Sequence, residues 1–357
     1  MAWCSVAVSF AFIGGAIMLL SPVQASESLD SGKPHHTESG FKNLDSSEGG
    51  GFIDLLKWQW ERFRKGLPPK RVYDFPLAQS DPAYLRSNRE KTTITWIGHA
   101  TVLLQLKGKN ILTDPQFSQR ASPFQWIGPK RVIQPGLVLR DLPAIDIVVI
   151  SHDHYDSLDD ATIMNLFTRD SGENIIFLVP LGLKKHFRDL GISRVQEMDW
   201  WDADNAGGLE FIAVPVKHWS KRLFTARNET LWAGWVIRSK DFSFFFAGDS
   251  GYTHLFKEIG QRLGPFDLAA IPIGAYEPRW FMRWFHINPE EAVQVHLDVR
   301  SRKSVAIHWG TFVLSDEPLD EPPKRLEQAR KAQSLSEEEF VALKHGETII
   351  LDGDKGD

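Results

Sequence analysis

Cysteine is almost missing from this chain: one residue, Cys4, stands in 357. A lone thiol so close to the N-terminus excludes internal disulfides and leaves no thiolate for a metal further along. Positive charge is not in excess either. The 41 Lys and Arg face 46 Asp and Glu, a net charge of -5, so nothing marks nucleic acid as a partner. No short repeat is present. What remains is ordinary for a soluble globular protein: 42% hydrophobic and 24% charged residues, in a chain long enough to bury a substantial core.

Lys and Arg are also lacking at the start. Ala2 to Leu20 are almost all apolar or small, and Val23-Gln24-Ala25 resembles a small-residue cleavage site. This predicts a signal peptide over residues 1–25, with Ser26 as the first mature residue, and export to the periplasm. The stretch is near the length of a bilayer span, so an uncleaved anchor over residues 2–20 is the alternative and a buried core helix a third. Residues 26–51, rich in Ser, Gly, Glu and His, predict a flexible linker in which His35-His36 is a solvated pair. Residues 52–90 form an N-terminal extension. There Phe52, Leu55, Leu56, Trp60 and Phe63 approximate one helical face, with Lys57, Arg62, Arg64 and Lys65 beside it. Such a helix over residues 52–71 either touches a membrane surface or packs on the main domain with a solvated basic edge. Its short length favours packing, and Leu67-Pro68-Pro69 ends it.

The main domain is expected over residues 91–357. Strands are predicted at 92–97, 101–106, 110–113, 145–150, 175–179, 209–216, 232–239, 242–247, 268–271, 304–308 and 346–351. Helices are predicted at 159–169, 181–190 and 289–298, the last with Asn288 as N-cap, Pro289 at N1 and Glu290-Glu291 against the dipole. Two strand-rich halves with interspersed helices predict an α/β fold of two packed sheets covered by helices.

Polar residues at the ends of apolar strands carry the chemistry. Ile145–Ile150 runs into Ser151-His152-Asp153-His154-Tyr155-Asp156-Ser157. Two histidines two apart and an aspartate two further on can place three metal ligands on one tight loop. His218 ends another strand, in Val216-Lys217-His218-Trp219. Asp249 follows the apolar run Phe244–Ala247, where an unpaired carboxylate is costly to bury and a metal is one suitable partner. His308 ends Val305-Ala306-Ile307 before a glycine turn.

The order His-x-His-x-Asp, His, Asp, His resembles the metallo-β-lactamase superfamily. The blocks around Lys217–Arg222, Phe246–Tyr252, Pro272–Trp280 and His286–Ala292 look like its N-acyl-phosphatidylethanolamine-hydrolysing phospholipase D branch, over roughly residues 91 to 351. The resemblance implies a four-layer αβ/βα sandwich, two zinc ions, and hydrolysis of a phospholipid phosphodiester by a hydroxide held at the metals. It places one metal on His152, His154 and His218, and the second on Asp156 and His308, with Asp249 bridging. The family's further histidine of the second site is Ser157 here. That change implies a weakened second metal with water in the gap, a nearby histidine such as His254 or His286 moving in, or one metal only. Asp153 is expected to orient the hydroxide or support a ligand histidine. Tyr155, Trp219, Tyr276, Arg279, His286 and Trp309 are candidates for the substrate groove, Arg279 for a phosphate. Two alternatives stay open: a poorly active mononuclear relative that binds metal or lipid, and a lactonase-type hydrolase of the same fold. Iron or manganese also suits the ligand set.

Overall fold

The computed structural model describes residues 32–45, 51–65 and 71–351. The expected signal peptide or anchor lies outside them, as does Leu67-Pro68-Pro69. Among the described residues no helix is long and apolar enough to cross a membrane.

A hairpin of β1 (His36–Thr37) and β2 (Gly40–Phe41) comes first, then α1 (Phe52–Lys65) and α2 (Pro82–Ser87). The first half of the main domain runs β3 (Thr92–Gly98), β4 (Thr101–Leu106), β5 (Lys109–Thr113), β6 (Ile147–Val149), α3 (Asp160–Phe167), β7 (Ile176–Pro180), α4 (Lys184–Asp189) and β8 (Val195–Met198). The second half runs β9 (Ala203–Ala206), β10 (Leu209–Val214), β11 (Gly234–Arg238), β12 (Ser243–Phe246), α5 (Leu255–Leu263), β13 (Leu268–Pro272), α6 (Arg279–Met282), α7 (Pro289–Asp298), β14 (Ser304–Ile307), α8 (Pro322–Ala332), β15 (Phe340–Val341) and β16 (Thr348–Leu351).

The strands build two seven-stranded sheets of the same design, β16-β3-β4-β5-β6-β7-β8 and β15-β14-β13-β12-β11-β10-β9. In each, an antiparallel meander leads into parallel strands. Parallel strands need crossovers, and these supply the outer helices. Strand alternation then divides the apolar residues. On β4, Val102, Leu104 and Leu106 enter the core between the sheets with Trp96, Phe211, Trp235 and Phe245. Leu103 points the other way, into a cluster with Ile163, Leu166 and Phe187 of α3 and α4. Both faces are buried, which is why these strands read as continuous apolar runs. The α/β sandwich of two packed sheets is therefore as expected.

Local signals also hold. Asn288 accepts from Glu291 N, and the Glu291 carboxylate accepts from Asn288 N, a complete capping box for α7. Asp159 is the N-cap of α3, but its Oδ2 accepts from Ser118 N and Thr162 Oγ1 rather than capping the backbone. Strands β8 and β9 and helices α5 and α8 escape the sequence reading. β9 is a polar edge strand, Ala-Asp-Asn-Ala, and α8 is a solvated helix laced by Lys324–Asp320 and Lys331–Glu327 pairs. Neither presents a clear apolar period.

The N-terminal region departs most from expectation. His35 and His36 are buried, not solvated. Their Nε2 atoms lie 2.6 and 2.9 Å from the two carboxylate oxygens of Asp199, and Lys33 Nζ lies 2.6 Å from Oδ2. His35 stacks on Trp200 at 4.3 Å. Burial opposes ionisation of Asp199, but the contacts from His35 and Lys33 outweigh it and hold its pKa below the usual range. Part of the expected linker is thus a strap fastened to the main domain. A hydrophilic composition hid this because its anchor, Asp199, is 164 residues away from His35. The packing expectation for α1 holds through Trp58, with Arg62 on Asp316 at 3.2 Å and Lys57 over the Trp280 ring at 4.4 Å beside it. Trp58 is buried against Phe281 and Met282 and donates Nε1–H to Asp316 at 2.9 Å.

Candidate metal centre

Four strand ends meet above the sandwich. The loop after β6 carries His152, His154 and Asp156; the segments after β10, β12 and β14 carry His218, Asp249 and His308. Each strand is held by its apolar core, so the polar residue just past its end points into the shared space. At Gly248, φ is +59° and an added Cβ would lie 2.6 Å from Ser151 Cβ, so only glycine lets this strand reach the metal loop.

The first group is His152, His154 and His218. His152 Nε2 and His218 Nε2 lie 2.8 and 3.2 Å from His154 Nδ1. The outer nitrogens set the ring orientations. His218 Nδ1–H donates to Phe285 O at 3.0 Å, and His152 Nδ1 meets Ser151 Oγ at 2.8 Å. Ser151 in turn donates its backbone N–H to buried Asp114 at 2.6 Å, and its hydroxyl reaches the other oxygen. Burial raises the Asp114 carboxyl well above the usual range. Asp114 just follows the strand predicted at 110–113, and no motif in the sequence marks it as this support.

Asp249 Oδ2 stands between the two groups, 3.8 Å from His152 Nε2, 4.0 Å from His218 Nε2 and 3.0 Å from His308 Nε2. On the far side His308 Nε2 is 3.4 Å from Asp156 Oδ2. His286 joins Asp249 and His308, and a residue the sequence reading did not single out, His99, joins Asp156 and His308.

The electrostatics suit a cation. Burial lowers His152 to about 3 and His286 to about 4, and holds His218 well below its ordinary value. Burial also opposes charge on Asp249 and Asp156, but the histidines around them outweigh it and keep both ionised. Neutral imidazoles with ionised carboxylates are the state that binds a divalent metal. His308 is the exception: burial disfavours its charge, yet Asp249 and Asp156 raise it to about 10. The carboxylates call for positive charge at that point. His308 Nε2, which faces Asp249 and Asp156, is buried without a hydrogen-bond partner, a state that protein interiors avoid unless a further group is accommodated. The donor set of imidazole and carboxylate fits a metal such as zinc.

Other expected site residues are placed elsewhere. Asp153 accepts from Lys221 N and Thr230 Oγ1 at 2.8 and 3.0 Å, so its carboxylate fastens the loop after His218. Tyr155 accepts from Leu223 N, under the Arg222 guanidinium. Arg222 itself is buried and donates to the Asp153 and Leu158 carbonyls, bracing the metal loop. Tyr276 is wholly buried and donates its hydroxyl to Glu321. Arg279 is committed to both oxygens of Glu291 at 2.8 Å, not to a phosphate. Trp309 stacks on Trp96 in the core. His254 is exposed and paired with Asp45 at 3.0 Å, away from the ligands. Ser157 is buried, with its hydroxyl on the side of Asp114.

Trp219 stays at the site, 4.4 Å from the His154 ring. It lines a cavity of about 740 Å³ that reaches His218, with Phe285, Trp284, Leu44, Lys42 and Arg227. Arg227 lies over the Trp219 ring at 4.8 Å. The strap supplies one wall: Asn43 accepts from His218 N and donates to His218 O. Sequence reasoning missed Arg227 and the strap because neither belongs to a strand-end motif.

Known proteins agree with this geometry. Residues 109–309 match the model of the beta-lactamase superfamily domain. The chain is 43% identical over 265 residues to N-acyl-phosphatidylethanolamine-hydrolyzing phospholipase D 1 of Caenorhabditis elegans, covering 71% of this chain and 74% of that one. A mitochondrial protein of the same activity name in Saccharomyces cerevisiae is 35% identical over 240 residues, 65% of this chain and half (50%) of that one. Among solved structures, the metallo hydrolase Igni18 of Ignicoccus hospitalis superposes with a TM-score of 0.56 at 20% identity, covering 74% of this chain and 99% of that one, a likeness of fold. The chain belongs to the metallo-β-lactamase superfamily, in its N-acyl-phosphatidylethanolamine-hydrolysing phospholipase D-like branch, and is a metal-dependent hydrolase.

Proposed function

We propose that this protein is a zinc-dependent phosphodiesterase that cleaves an N-acylated phospholipid on its head-group side. The observation that carries the reading is Asp249 Oδ2 standing between the His152, His154 and His218 group and His308, at one end of a cavity lined by aromatic residues, by Lys42 and Arg227, and by the carboxylates of Asp45 and Asp54. Two zinc ions bound there would supply Lewis acidity and lower the pKa of a water. The residues do the rest. His152, His154 and His218 present nitrogens to one point, and the rings of His152 and His218 are oriented from behind. Asp249 and Asp156 hold negative charge where cations are needed. Arg227 and Lys42 suit a phosphate, and Trp219, Trp284, Phe285 and Leu44 suit an acyl chain. In the reaction, water oxygen joins phosphorus and the bond from phosphorus to the head-group oxygen breaks, giving phosphatidic acid and an N-acylethanolamine. The names of the Caenorhabditis and Saccharomyces relatives support this substrate class.

Export and contact with a lipid surface belong to the same proposal. On α1, Ile53, Leu56, Trp60 and Phe63 are exposed, and Trp60 and Phe63 stack at 5.8 Å. An apolar ridge flanked by Lys57 and Arg64 suits an anionic membrane interface. The test is turnover by the zinc-loaded full chain on vesicles containing N-acyl-phosphatidylethanolamine, beside a lactone panel, read by mass spectrometry. Release of N-acylethanolamine is expected; hydrolysis of lactones alone overturns the reading.

A further inference from the structure

Ser157, which is buried, takes from the second metal group the imidazole that the branch pattern expects. We propose that His99 supplies the missing ligand, so that the second site is His99, Asp156, Asp249 and His308. The inference rests on the two-metal reading above, but not on the substrate.

The geometry is specific. His99 Nε2 lies 3.0 Å from Asp156 Oδ2, and the same oxygen lies 3.4 Å from His308 Nε2. His308 Nε2 is in turn 3.0 Å from Asp249 Oδ2. Bonds of about 2.0–2.1 Å in a tetrahedral shell put ligand atoms about 3.3 Å apart, so these separations suit a common ion. The ligand atoms of His99, Asp156 and His308 all lie within 4.8 Å of one another, and Asp249 reaches this group through its 3.0 Å approach to His308. His286 joins Asp249 and His308 instead, which leaves it at the seam between the two sites.

The fold holds His99 there from an unrelated part of the chain. It stands in the turn between β3 and β4, with φ +53°, and His308 has φ +59°. Non-glycine residues adopt this left-handed region at a cost, and they keep it where the surroundings over-determine it. Here His99 N donates to Thr311 Oγ1 at 2.9 Å, and His99 O accepts from His308 N at 2.8 Å and Trp96 Nε1 at 2.9 Å. The two rings lie 4.0 Å apart, and His99 is buried. A turn in the first sheet is thereby tied to the strand end that carries His308 in the second. A histidine that only braced Asp156 would satisfy the same hydrogen bond, and metal counting separates the two roles.

The full chain is stripped, reloaded with zinc alone, desalted and analysed for metal. Two equivalents are expected for the unaltered protein, one for His99→Ala, and two for His286→Ala. Adding Ser157→His to His99→Ala restores the ligand of the branch pattern and returns the count to two. The inference is overturned if the unaltered chain holds one zinc, if His99→Ala keeps two, or if His286→Ala is the variant that drops to one. Should His99→Ala fail to fold, zinc anomalous diffraction from the unaltered chain decides: an ion about 2.0–2.1 Å from His99 Nε2 supports the assignment, and one without contact to it overturns the assignment. Two bound zincs with no phospholipid turnover would sink the proposed function and leave this ligand assignment standing.

Discussion

Ser151 hydroxyl links buried Asp114 to the outer nitrogen of His152. Groups that orient a ligand from behind typically account for about 10–100-fold in metal affinity. Ser151→Ala is therefore expected to weaken zinc binding by that factor in a chelator competition; unchanged affinity would show that the ring is held by packing alone. A second residue reports on pH. His345 is buried against Trp96, and burial, with Arg131 nearby, lowers it to about 3. The unfolded chain takes up a proton there near pH 6.5 and the folded chain does not. Stability from this site is thus lost as pH falls from 6.5 towards 3, by up to about 1.4 kcal/mol per pH unit. His345→Phe keeps the ring packing and removes the titration. In urea unfolding with zinc in excess, the gap between wild type and variant should shift in the variant's favour by about 1 kcal/mol per unit between pH 6 and 4. A constant gap would count against the buried neutral ring.

At the scale of elements, the strap and α1 do separate work. The strap is fastened by Lys33, His35 and His36 on Asp199 and lines the cavity through Asn43 and Leu44. Asp199→Ala leaves that buried cluster without its acceptor, a change that costs about 3 kcal/mol or more locally. The expected outcome is a higher KM with kcat little changed, since a wall is lost and the ligands are not. Equal losses in kcat and kcat/KM would place the strap in the transition state instead. For α1, Trp60→Glu and Phe63→Glu alter exposed side chains, so stability should stay within about 0.5 kcal/mol. Vesicle binding in a flotation assay should fall, and retention of full binding would remove the membrane role. The strand-end histidines and aspartates that come together were legible because they follow apolar runs. The strap was not, because its composition resembles a linker and its partner is distant in sequence. Tyr276 and Arg279 were misplaced for the mirror reason: they sit in family-like blocks, but Glu321 and Glu291 claim them.

At the scale of the whole molecule, the centre joins both sheets, so metal should stabilise the fold as one unit. Free zinc at about 1,000 times Kd adds about 4 kcal/mol by mass action. Chelation should lower the thermal midpoint in a single cooperative step, and a midpoint indifferent to zinc would mean that the ligand cluster stays unfilled in solution. Strand alternation, caps and the order of ligands along the chain are local patterns, with periods of a few residues, and the sequence by itself determined them: the α/β class, most strands, α7 with its capping box, and His152, His154, Asp156, His218, Asp249 and His308. The tertiary structure alone decided which side chains remain available once ion pairs are made, and which distant residues meet. It committed Arg279 to Glu291, buried His35 and His36 on Asp199, and brought His99 to Asp156 across 57 positions of chain. Proximity between distant residues is set by how the two sheets pack, and no local period encodes that.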